Sequence, residues 1–133
     1  MNIQDCTLTK PITCFATDSI QKAAKILKDK KLRHLYVLDK KKNLLGVFAG
    51  IDVIHSVIAA GKDYKKMTVS DMMNPHIVSF APDDALTKAI GFMSSTNIFT
   101  CPIAKDKKLV AVLSYKDAMQ HALEERKNFL KTK

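Results

Sequence analysis

The sequence predicts an α/β (α+β) protein made of two tandem β-α-β-β-α motifs packed as a pseudo-two-fold pair. Three observations lead there. The chain has 133 residues, 47% hydrophobic and 26% charged, the balance of a domain that buries a core. Its apolar residues fall in short β-rich runs that alternate with segments of helical period. The whole series then occurs a second time, and a repeat of this kind decides the architecture before any local reading does.

The repeat shows residue by residue. Ile12-Thr13-Cys14-Phe15-Ala16-Thr17-Asp18 reads against Ile77-Val78-Ser79-Phe80-Ala81-Pro82-Asp83, 65 positions later. Lys22-Ala23 reads against Lys88-Ala89 at 66, and Leu44-Leu45-Gly46-Val47-Phe48 against Leu109-Val110-Ala111-Val112-Leu113 at 65. Asp52 falls on Asp117, and Asp5 on Asp71. The spacing is expected to change at Pro82-Asp83-Asp84 and in the lysine-rich stretches before Leu44 and Leu109, where loops tolerate length differences. The halves are residues 1–66 and 67–133, with Lys62 to Met67 as the polar linker.

Each half opens with an apolar run, Ile12 to Phe15 and Ile77 to Phe80, expected as a strand. A helix follows, with Asp18 or Ser19 as N-cap and Ile20, Ala23, Ala24, Leu27 on one face. Its counterpart starts at Asp84 and carries Leu86, Ala89, Ile90, Met93. Two strands joined by a charged turn come next, Leu35 to Leu38 with Leu44 to Phe48, then Cys101 to Ala104 with Leu109 to Leu113. A closing helix bears Ile51, Ile54, Ile58 with Val53 and Val57 in the first half. In the second it bears Ala118, Met119, Ala122, Leu123, and the tail after about residue 126 extends it to Phe129 and Leu130. Such stripes are costly to leave wet, so a homodimer interface is expected on these closing helices.

Charge is the unusual global property. Lys+Arg 22 against Asp+Glu 13 gives +9, which invites a polyanion. The distribution argues for a solvated lysine surface instead. Only Arg33 and Arg126 are arginines, the clusters are scattered, and no basic run is interleaved with aromatics for stacking. Nucleic-acid binding through lysines therefore stands as the competing reading. No stretch approaches the ~18 apolar residues that span a bilayer, and the amino-terminal residues lack the basic and apolar regions of a secretion signal. Three cysteines without a C-x-x-C motif fit a reducing cytoplasm. His34, His55, His76 and His121 show no metal-binding spacing, no glycine-rich phosphate loop occurs, and neither catalysis nor a metal is expected.

With its order of elements, the chain resembles the CBS domain, and the tandem resembles a Bateman module. The first half has Arg33-His34-Leu35-Tyr36-Val37-Leu38-Asp39 and then Leu44-Leu45-Gly46-Val47-Phe48-Ala49-Gly50-Ile51-Asp52. These stand against the family's Arg-His-x-Pro-Val-Val-Asp and its Leu-x-Gly stretch ending in Thr/Ser-x-x-Asp. The second half has Phe99-Thr100-Cys101-Pro102-Ile103-Ala104 and then Leu109 to Leu113 with Ser114-Tyr115-Lys116-Asp117. Val69-Ser70-Asp71-Met72-Met73 is similar to the family's lead-in to a second motif. The resemblance implies a regulatory module without catalysis of its own. It implies an adenosine-containing ligand (AMP, ADP, ATP or S-adenosylmethionine) in the cleft between the motifs, and an effector protein whose identity stays open.

The chemistry of the Ser/Thr-x-x-Asp element supports that site independently. A carboxylate at the start of a helix can accept hydrogen bonds from both ribose hydroxyls. The unpaired N–H groups of a helix amino end favour phosphate. Ser114 and Asp117 meet this requirement, Lys116 lies between them within reach of a phosphate, and Thr100 and Pro102 match the polar and proline positions. Ile77, Val78 and Phe80, with Cys101 and Ile103, offer walls for adenine or plain core. Asp52 is the weaker equivalent, since Ala49 replaces the hydroxyl and Tyr36 the proline. Loss of that ligand leaves a purely structural dimer as a further alternative.

Overall fold

The structure is a computed structural model that describes residues 1–131, and it forms two compact units. One is contiguous, residues 12–77; the other joins residues 1–11 to the chain from Val78 onward. This partition differs from the repeat boundary at 66/67, because the first eleven residues pack with the second repeat.

The contiguous unit holds β1 (Thr13–Phe15), α1 (Ile20–Lys30), β2 (His34–Leu38), β3 (Leu44–Ala49) and α2 (Gly50–Val53). β2 is central, parallel to β1 and antiparallel to β3. α1 forms where expected: the Ser19 hydroxyl accepts from Lys22 N–H, and Ile20, Ala23 and Leu27 are buried. It ends on Lys31 in the left-handed region, φ 55°. The sheet and α1 close over Cys14, Leu35, Val37, Phe48, Val57 and Val69. Residues 69–77 complete the unit. Val47 and Asn74 exchange backbone hydrogen bonds of 3.0 and 2.9 Å, and this brings Asn74 against Gly46, where a Cβ would collide with its carbonyl.

The closing helix of this unit departs from expectation. After one turn of α2 the chain widens over Ile54–Ile58, where Ala59 N–H reaches back to Ile54 O at 2.8 Å. Only Val57 of the predicted stripe is buried, and Ile51, Ile54 and Ile58 are exposed. The predicted linker contains a short turn, Tyr64–Lys66, with Asp63 capping Lys65 N–H.

The second unit holds α3 (Leu86–Thr96), β4 (Thr100–Lys105), β5 (Lys108–Ser114) and α4 (Tyr115–Lys131). The amino-terminal segment closes it: Ile3 N–H bonds to Asp84 O, Leu86 N–H to Met1 O, and Thr9 pairs with Val112. Ile3 and Cys6 enter a core of Phe80, Leu86, Ala89, Met93, Cys101, Ile103, Leu113 and Ala118. α4 runs unbroken to Lys131, so the tail is helical as expected through the described residues. Among the described residues no helix is long and apolar enough to cross a membrane.

The strand expected over Ile77 to Phe80 shrinks to one parallel bridge, Phe80 with Ile103. The cause is Pro102. In the other unit Tyr36 N–H donates to Ile12 O at 3.4 Å, but Pro102, in the matching place, has no N–H to give. Pairing starts only where Phe80 N–H reaches Pro102 O, 3.0 Å.

The bridge also corrects the repeat alignment. Phe80 occupies the place of Cys14, both buried, and not that of exposed Phe15. Asp18 accepts from Phe15 N–H and pairs with Lys22; Asp84 accepts from Ala81 N–H and pairs with Lys88. The offset is therefore already 66 at the strand, and Asp84, not Asp83, is the counterpart of Asp18.

Candidate functional site

The antiparallel β4–β5 pair ends with Thr100 opposite Ser114, which delivers Ser114 to the first residue before α4. Asp117 N–H donates to Ser114 Oγ at 3.1 Å, and Ser114 Oγ donates to Asp117 Oδ2 at 3.0 Å. The hydroxyl thus caps the helix and holds the carboxylate in one direction. Both side chains are partly buried, at a helix amino end whose N–H groups favour anions. Lys116 is exposed on the same first turn. Tyr115 N–H bonds to Phe99 O at 2.8 Å, and the two rings meet edge to face with centroids 5.8 Å apart. Phe99 is 57% exposed, and its ring partner Tyr115 stands two residues before Asp117 in sequence. The expected site residues did not include this pair. Its signal was the strand-to-helix joint itself, which always sets the residue before β4 beside the first residue of α4.

The equivalent joint in the other unit repeats the backbone, with Gly50 N–H bonded to Arg33 O at 3.0 Å. It lacks the chemistry. Ala49 gives α2 no side-chain cap, and Asp52 stands at the third helical position without a hydroxyl partner. His34 lies opposite Ala49, where Thr100 lies opposite Ser114. The rings of His34 and Tyr36 pack edge to face at 5.5 Å, and Tyr36 is only 5% exposed. Burial pushes the His34 ring below its usual 6.5.

The remaining expected residues divide. Ser114, Asp117, Lys116 and Thr100 gather at the β4/β5–α4 joint. Pro102 and Phe80 are joined through the Phe80 N–H bond and are buried, so they serve as core and backing. Val78 is 50% exposed in the unit that carries Ser114 and Asp117, whereas Ile77 is half-buried in the contiguous unit with Asp52. Burial pushes the Cys14 and Cys101 thiols up to about 12, which makes them small apolar residues. Among the described residues no cluster of His, Cys, Asp or Glu could hold a metal ion. A shallow depression of about 450 Å³ between β1 and the β2–β3 turn is lined by Phe15, Leu38, Lys40 and Lys41 and includes none of the expected residues.

Comparison with known proteins agrees with the tandem fold. The family model described as the CBS domain matches twice, at residues 3–59 and 69–124. An L-aspartate semialdehyde sulfurtransferase of Methanocaldococcus jannaschii is 27% identical over 116 residues, 86% of this chain and 22% of that protein. The chain thus spans about a fifth of that relative's length. The CBS domain pair of protein MJ0100, solved with 5′-methylthioadenosine and S-adenosyl-L-methionine, superposes with a TM-score of 0.74 at 24% identity. That match covers 94% of this chain and 98% of the other. CBSX2, solved in complex with AMP, gives 0.77 at 23% identity over the same shares of the two chains. At these identities the likeness shows the fold.

Proposed function

The chain belongs to the CBS-domain family, with two CBS domains in tandem, and from there we propose that it is a regulatory module that senses an adenosine-containing ligand and has no catalysis of its own. The observation that carries this is the Ser114–Asp117 pair at the start of α4. Asp117 receives the ribose hydroxyls, the first N–H groups of α4 and Lys116 attract phosphate or a carboxylate, and Thr100 borders the ribose. The solved relatives with S-adenosyl-L-methionine, 5′-methylthioadenosine and AMP support adenosine as the common element. The joint at Asp52 lacks the hydroxyl and has Tyr36 packed beside it, so the Asp117 joint is the working one.

Calorimetric titration with AMP, ATP and S-adenosylmethionine tests the assignment. Losing the carboxylate leaves ribose hydroxyls unpaired at ~1–3 kcal/mol, about 5- to 150-fold in affinity. Asp117→Asn is expected to weaken the ligand by at least about tenfold within that range, and Asp52→Asn to change little. Equal losses would mean two working joints, and loss only in Asp52→Asn would reverse the assignment.

The module also pairs with a second copy in this reading. Ile51, Ile54 and Ile58 on one unit, and Leu123, Phe129 and Leu130 on α4, are each more than half exposed. Stripes of this size are normally covered. Light scattering is expected to give twice the 14.8 kDa chain mass, and a monomer would refute it.

A further inference from the structure

The amino-terminal segment is tied to α4 by a contact that depends on the charge of one ring. Thr7 N–H donates to His121 Nε2 at 2.8 Å, and Thr7 Oγ1 lies 3.2 Å from the same nitrogen. A backbone N–H can only donate, so Nε2 is the acceptor and carries no proton. This fixes the tautomer without ambiguity. A proton on Nε2 would set donor against donor at the Thr7 N–H and leave that N–H without its acceptor, the Thr7 hydroxyl being the group that could then accept from Nε2. The segment on the far side of that bond matters to the unit, because Ile3 and Cys6 lie in its core beside Leu86 and Ala118.

We infer that His121 is a pH-sensitive latch that holds Thr7 on α4 while its Nε2 is unprotonated and lets the Thr7 N–H go when Nε2 is protonated, the rest of residues 1–11 staying held by the core. Asp117 and Glu125 stand one turn before and one turn after His121 on α4, with Glu124 adjacent to Glu125. Asp5 lies on the segment itself; burial first, and after it Asp5, Asp117 and Glu125, push the thiol of neighbouring Cys6 up. The amino group of Met1 sits 3.8 Å from Glu125 and opposes them. On α3 the basic group Lys88 is engaged with Asp84.

Amide hydrogen exchange on the full chain tests the latch without any ligand, and so independently of the proposed function. The Thr7 protection factor, corrected for intrinsic rates, is expected to fall at least about tenfold between about pH 7.5 and about pH 5 as the His121 ring resonances titrate. In His121→Gln the amide oxygen accepts the same N–H at any pH, so Thr7 is expected to stay protected at both. Unchanged wild-type protection across that range, or the same loss in His121→Gln, would overturn the latch.

Discussion

His34 shows how one side chain makes a unit sensitive to its solution. It sits in β2 opposite Ala49, against the edge of Tyr36, and burial lowers its pKa below 6.5. The unfolded chain therefore takes up this proton first as pH falls. The stability that His34 contributes by staying neutral is complete above about pH 6.5 and is lost as pH drops toward the folded value. Denaturant unfolding over that window is expected to show a shallower pH slope for His34→Gln than for the wild type. An identical slope would place the sensitivity elsewhere. The position is also telling. Thr100 fills the same place in the other unit, so the two joints differ in titration as well as in hydrogen bonding.

The two helices that follow the strand pairs begin on different caps, and their lengths differ accordingly. α4 starts on the Ser114 hydroxyl and runs for 17 residues; α2 starts on Ala49 with no side-chain cap and gives way after four. A Ser cap contributes ~1 kcal/mol. Ser114→Ala is expected to lower unfolding stability by about that amount, and Ala49→Ser to raise it, by denaturant titration. A gain in Ser114→Ala or a loss in Ala49→Ser would mean that tertiary packing, not capping, sets the two helix starts. The sequence made α1 plain through its Ser19 cap and apolar spacing, and it placed Ser114 and Asp117 together, because a strand end and a helix start three residues apart must meet. It did not reveal the lost strand at Ile77, since apolar residues next to Ser79 read as β until one sees that Pro102, about 25 positions away, cannot donate. Nor did it reveal the one-residue error that matched Phe15 with Phe80. Two phenylalanines agreed by identity, whereas sheet register and burial put Cys14 there instead. The wide turn at Ile54–Ile58 carries no breaker residue and was invisible for that reason.

At the scale of the molecule, the +9 charge is carried by lysines spread over both repeats, including the turns Lys40 to Lys42 and Lys105 to Lys108. Among the described residues, exposed ion pairs join Lys22 to Asp18, Lys88 to Asp84 and the Met1 amino group to Glu125. Such exposed pairs contribute little, so cohesion comes from the two apolar cores. Those cores are completed at different moments of synthesis. Residues 12–77 contain everything their core uses, from Cys14 to Val69, whereas the other core takes Ile3 and Cys6 from before that stretch and Ala118 from after it. A nascent chain can therefore finish the middle unit on the ribosome while the opening segment waits, its Ile3 uncovered, for more than eighty residues to follow. Order of emergence becomes order of folding. A fragment of residues 12–77 is expected to give dispersed amide resonances by itself. A fragment from residue 78 onward is expected to do so only when a peptide of residues 1–11 is added in trans, and a well-folded spectrum without the peptide would show that the opening segment is dispensable.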